Sequence, residues 1–167
     1  MLFDLTLLFS GQAEALPFSF SLDLSETKFH AAYPFSSPVE VCGEARHHAG
    51  EYSLQVDLFC ELSVACDRCA ELTHPQFRFS FTHPVLQPLQ PESEDINALS
   101  ADASSCLDLA EVARADLLLE LPSKFLCSPD CKGLCPQCGK NLNFESCTCK
   151  THSIDPRLEI LKNLIDH

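Results

Sequence analysis

Tyr52-Ser53-Leu54-Gln55-Val56-Asp57-Leu58 and Phe77-Arg78-Phe79-Ser80-Phe81-Thr82 alternate apolar and polar side chains with a period of two, and that alternation decides the fold. Successive side chains of a strand point to opposite faces, so Leu54, Val56 and Leu58 share one face, as do the three phenylalanines. One buried face and one wet face is the texture of antiparallel sheet. Ser19 to Leu24 repeats the pattern upstream. The stretch around these runs divides into three consecutive strands, at 39–47, 51–65 and 72–83, with Gly50 at the first turn. Cys66-Asp67-Arg68-Cys69 falls in the second turn, where a hairpin tip brings two thiolates together. Asp67 and Arg68 read as solvated turn residues.

After this sheet the texture changes to Pro, Glu, Ser, Asp and Asn without periodicity, which marks an acidic linker. Ser105 then offers a helix cap, and apolar residues run at three- and four-residue spacing through Leu109, Val112, Ala113 and Leu117 to a stop at Pro122. Asp116 and Glu120 read as a solvated acidic pair on the margin of that stripe. Asp155-Pro156 opens a second amphipathic helix carrying Leu158, Leu161, Leu164 and Ile165. The expected class is α+β: an antiparallel, barrel-like N-terminal half, a helix, a Cys-rich zinc knuckle and a C-terminal helix. The expected division is 1–86 for the β region with its CxxC hairpin, 87–104 for the linker, and 105–167 for the rest.

Six of the eleven cysteines lie between Cys127 and Cys149, in CSPDCKGLCPQCGKNLNFESCTC. Cys135-Pro136-Gln137-Cys138-Gly139 has the form of a zinc knuckle, in which two thiolates two residues apart close on one tetrahedral ion and the glycine supplies a positive φ. With Cys147 and Cys149 it makes a four-thiolate site, and soft sulfur ligands select zinc over hard cations. Cys127 and Cys131 then pair with the distant Cys66 and Cys69 in a second site, the alternative being one six-cysteine site with ligand exchange. One or two zinc ions are therefore expected. Cys42, Cys60 and Cys106 have no spaced partner and read as small buried apolar residues.

The N-terminus lacks a basic stretch and Asp4 interrupts its apolar run, so a secretory signal is not expected. A cytoplasmic setting keeps thiols reduced and favours metal over disulfides. A thioredoxin-like role needs the CxxC at a helix N-terminus, whereas here it follows a strand-like run.

Net charge is −13, unevenly spread: nine acids against two bases in residues 1–63, but five against six in residues 124–167. Such an overall charge opposes long-range capture of nucleic acid. Lys132, Lys140 and Lys150 beside the knuckle, with Arg68 at the hairpin tip, are the candidate contacts to RNA or another partner. No eighteen-residue apolar run marks a membrane span. GxSxG, Walker and HExxH patterns are missing, and a four-thiolate site has no open position for water. No catalytic residue, small-molecule substrate or membrane partner is expected.

The string Cys131-Lys-Gly-Leu-Cys-Pro-Gln-Cys-Gly-Lys-Asn-Leu-Asn143, followed by Cys147-x-Cys149 and Asp155-Pro-Arg157, closely resembles the C-terminal signature of the YceD family of large ribosomal RNA subunit accumulation proteins. Cys66-Asp-Arg-Cys69, the acidic linker and Glu120-Leu-Pro122 stand in the matching order, so the resemblance covers roughly residues 39 to 165. It implies a non-enzymatic role in accumulating large-subunit, 23S-type ribosomal RNA. The implied partners are that RNA, a pre-ribosomal particle or a basic ribosomal protein. The alternative is an acidic, zinc-stabilised adaptor that binds proteins and never contacts RNA.

Overall fold

The alternating runs form long strands. In the computed structural model, which describes residues 1–30, 32–88 and 97–149, the elements are β1 (Leu2–Asp4), α1 (Thr6–Phe9), β2 (Ala15–Leu22), β3 (Val39–His48), β4 (Glu51–Glu61), β5 (Val64–Ala65), β6 (Leu72–Thr73), β7 (Gln76–Leu86), β8 (Leu99–Ser100), β9 (Cys106–Asp108) and α2 (Leu109–Glu120). Residues 89–96 of the expected linker, Lys150 and the expected terminal helix lie outside the described residues. What is described is mostly sheet, with few helices.

The main sheet runs β2-β3-β4-β7-β8, antiparallel except for the β7–β8 pair. Its register puts Leu54 opposite Ala45 and His83, Val56 opposite Gly43 and Phe81, and Leu58 opposite Val41 and Phe79. Ala45, Val41, Leu54, Val56 and Leu58 are accordingly buried, on the face the period-two pattern assigned to the core. Gly43 is required there: a Cβ would collide with the Gln55 carbonyl oxygen and sit 2.8 Å from the Phe18 ring.

Two expected strands divide. The 51–65 run ends at Glu61 and resumes as β5, while 72–83 breaks at His74–Pro75 and then runs on to Leu86. Pro75 has no N–H to give a ladder, and only its carbonyl is used, accepting from the Leu62 N–H; the Ser63 N–H turns aside to the Pro34 carbonyl. The hairpin tip is thereby set off as a small separate ribbon, β5–β6.

The helix also starts later than its sequence cap suggested. Ser105 sits at φ +60°, residues 106–108 pair with β1, and Asp108 becomes the cap by accepting from the Ala110 N–H at 3.0 Å. Burial of Leu107 opposite Phe3 decides this. Leu109, Ala113 and Leu117 form the buried stripe of α2.

Asp116 is not solvated. Its carboxylate lies 2.8 Å from His83 Nε2, with only 13% and 11% of the two side chains exposed, and His83 Nδ1 lies 3.2 Å from the Asn97 carbonyl. This pair ties α2 to β7. Of the three unpartnered cysteines, Cys60 is buried as expected, but Cys42 is exposed and Cys106 half-buried. Cys42 follows the strand alternation onto the outer face, between buried Val41 and half-buried Gly43. Among the described residues no helix is long and apolar enough to cross a membrane.

Candidate metal centre

The hairpin tip and the knuckle are the same turn built twice. In the first, the Cys66 N–H donates to the Glu71 carbonyl at 2.8 Å and the Ala70 N–H to the Cys66 carbonyl at 2.9 Å. In the second, the Cys135 N–H donates to the Lys140 carbonyl at 2.8 Å and the Gly139 N–H to the Cys135 carbonyl at 2.9 Å. Ala70 and Gly139 occupy equivalent positions, at φ +59° and +72°. Sequence reading saw only the second turn as a knuckle, because an alanine stands where the first should show glycine.

The chain leaves α2 at Pro122 and returns to the hairpin through Phe125, whose ring is buried against Phe29 and Phe77. The Phe125 N–H donates to Asp67 Oδ2 at 2.7 Å, and the Asp67 N–H donates to the Phe125 carbonyl at 2.8 Å. Arg68 Nη1 donates to the Cys131 carbonyl at 2.8 Å. Asp67 and Arg68 thus do more than solvate a turn: they hold Cys127 and Cys131 against Cys66 and Cys69.

The sulfurs group as two sets of four, Cys66, Cys69, Cys127 and Cys131, then Cys135, Cys138, Cys147 and Cys149, each set within 4.8 Å. Cys66 and Cys131 sulfurs are 3.8 Å apart, and those of Cys69 and Cys127 are 3.5 Å apart. A tetrahedral ion with sulfur ligands at about 2.3 Å has edges of about 3.8 Å, so the first set is at the scale of a metal site.

The electrostatics agree. Backbone N–H groups of Cys127, then Arg68 and Cys69, hold the Cys66 thiol down to about 6, and those of Cys138 and Gln137 hold Cys135 down to about 6. Cys127 is pushed up to about 12 by its contacts with the Cys131 and Cys69 sulfurs, and Cys149 to about 12 by Cys138. Each set is built to carry negative sulfur but repels its own full ionisation. A divalent cation among the four sulfurs removes that repulsion, and the donor set fits a soft or borderline ion.

The two sets are joined. Gly133, at φ +76°, lies under the Arg68 carbonyl, which accepts from the Leu134 N–H at 3.0 Å. Asn141 Nδ2 reaches Glu71 Oε1 at 3.3 Å, and Asn143 Nδ2 reaches the Cys131 sulfur at 3.3 Å. Asn143 and Gly133 lie within the string that carries the family resemblance, but spacing alone assigned them no task. Of the candidate cationic contacts, Arg68 is engaged with Cys131, Lys140 pairs with Glu145 at 3.2 Å, and Lys132 is exposed.

Fold and site together define a β-sheet protein with two four-cysteine clusters capable of holding metal. The chain matches the model of the family described as Large ribosomal RNA subunit accumulation protein YceD over residues 54–165, and it belongs to that family. It is 26% identical to YlbN of Bacillus subtilis (strain 168), over 91% of this chain and 89% of that protein. It also resembles two chloroplastic proteins named large ribosomal RNA subunit accumulation protein YCED homolog 1. With that of Zea mays it shares 43% identity over 29% of this chain and 17% of the relative. With that of Arabidopsis thaliana it shares 24% identity over 86% and 54%. No solved structure matches.

Proposed function

We propose that this chain is a non-enzymatic factor that supports accumulation of large-subunit ribosomal RNA during ribosome assembly, with two structural zinc ions holding its C-terminal lobe to its sheet. The observation that carries the reading is the family match, which runs through both cysteine clusters. Zinc is favoured by all-sulfur donor sets, the first of them at tetrahedral spacing, and four protein thiolates leave no coordination position for a reacting water. The ions act by tying together a lobe with little core of its own.

A specific feature favours a protein rather than RNA as the direct partner. A divalent ion with four thiolates keeps two negative charges, so two loaded clusters would add to a chain already at −13. Arg68 and Lys140 are meanwhile spent on internal partners. A basic ribosomal protein suits that surface better than a phosphate backbone does. The test has two arms. In cells carrying Cys66→Ser or Cys135→Ser as the sole copy, the ratio of large- to small-subunit ribosomal RNA should fall; an unchanged ratio with the chain removed altogether would sink the assembly role. In vitro, RNA binding that weakens steeply with salt and on replacing Lys132 would replace the protein partner with RNA.

A further inference from the structure

We propose that the two four-cysteine clusters bind their ions cooperatively and that Asn143 carries the coupling; this rests on the metal reading above. Asn143 lies between Cys138 and Cys147, in the loop that an ion in the second cluster would close. Its Oδ1 accepts from the Lys132 N–H at 2.8 Å, which fixes the orientation of the amide. The Nδ2 group is thereby aimed at the Cys131 sulfur of the first cluster, at 3.3 Å, and at Asn141 Oδ1, at 2.9 Å. A residue held by one cluster supplies an N–H to a sulfur of the other.

Outer-shell donors of this kind orient a ligand and offset its charge, and removing one typically costs 10- to 100-fold in metal affinity, as an order of magnitude. An empty second cluster leaves the loop between Cys138 and Cys147 untied, and the first cluster loses the donor that loop holds in place. The reverse effect runs through the same amide. An ion on Cys131 fixes that sulfur and the neighbouring Lys132 N–H, and these hold Asn143 and with it the loop between Cys138 and Cys147. Linkage requires the two effects to be equal in size.

The experiment is a cobalt(II) titration of the full-length, reduced chain, read by its thiolate-to-cobalt absorption. Cys147→Ser/Cys149→Ser leaves only the first cluster, and Cys66→Ser/Cys69→Ser only the second. Each should bind cobalt about 10- to 100-fold more weakly than the same cluster does in the intact chain when the other is filled. Asn143→Asp keeps the acceptor for the Lys132 N–H, and with it the turn, but replaces the amino group facing Cys131 with oxygen; it should abolish the gap in the intact chain. Asn143→Ala should do the same, with circular dichroism reporting whether it folds. An intact-chain isotherm equal to the sum of the two single-cluster isotherms would overturn the coupling. A gap that survives Asn143→Asp would overturn the assignment to Asn143. Absence of any thiolate-to-cobalt band in the intact chain would instead bring down the metal reading itself.

Discussion

Asp67 and Phe125 exchange two hydrogen bonds across 58 residues of chain, the Phe125 N–H donating to the Asp67 carboxylate and the Asp67 N–H to the Phe125 carbonyl. This clasp docks the segment after α2 onto the hairpin tip without any metal. It also sets the separation of Cys69 from Cys127, two residues beyond each end of the clasp.

Asp67→Ala leaves the N–H of buried Phe125 without its acceptor. A loss of about 1–3 kcal/mol is expected, the cost of an unsatisfied buried donor. Asp67→Asn retains an acceptor oxygen and should lose less. Urea denaturation of the metal-loaded chain measures both, and equal midpoints for wild type and Asp67→Ala would show that the clasp does not contribute.

The equivalence of the two turns makes a prediction about Gly139, to be set against Gly133 in the joint between them. Gly139 has open space around an added Cβ, and Ala70 already shows that alanine can hold this position. Gly139→Ala should therefore cost only the left-handed backbone, about 1–2 kcal/mol, and keep its metal. Gly133 has a similar φ, but its Cβ would lie 2.9 Å from the Arg68 carbonyl oxygen in the joint between the clusters. Gly133→Ala should cost more, about 3 kcal/mol, because strain and overpacking add. Thermal unfolding of the two variants side by side decides it; equal losses would mean that the joint yields freely.

Period-two alternation was enough to place β4 and β7 and their inward faces, because burial on one side of a strand leaves a direct trace in residue order. Cysteine spacing placed both knuckle pairs for a similar reason: two ligands on one turn must be close in sequence. Spacing assigned Cys127 and Cys131 to the hairpin only as the cysteines left over, and does not encode what returns them there: Asp67 and the packing of Phe125 against Phe29 and Phe77. Nor does it show the pairing of β1 with β9, where three residues from each end of a long loop meet. That pairing took residues 106–108 out of the expected first helical turn. Asp116 was misplaced because a helix pattern marks a margin residue as polar without saying whether a histidine faces it from another element.

His83 and Asp116 join β7 to α2 with both side chains nearly buried, so removing Asp116 leaves His83 Nε2 desolvated and without its partner. Asp116→Ala should lower stability by about 2–3 kcal/mol, the range for hydrogen bonds to charged groups. Asp116→Asn keeps an oxygen acceptor for His83 Nε2 and should lose less. Neither change touches a cysteine, so metal content should be unaffected. A coincident loss of metal would show that α2 positions the clusters as well as the core.

The grouping of the cysteines is decided by stoichiometry. Two separate four-sulfur sets require about two zinc ions per chain at saturation, falling to about one in Cys66→Ser and to about one in Cys135→Ser. A single six-cysteine site requires one ion, held by Cys127 to Cys149 and indifferent to Cys66. Chelation should then separate folding from metal: the sheet, with Leu54, Val56 and Leu58 buried in a core cluster that includes none of the eight candidate ligands, should keep its β-type circular dichroism. The lobe after Phe125, whose described residues include few buried apolar side chains besides cysteines, should open to proteolysis once the ions are removed. Elemental analysis beside limited proteolysis reads both effects. A wild-type ratio of one zinc, unchanged in Cys66→Ser, would dissolve the first cluster and leave the hairpin held to Phe125 by Asp67 alone.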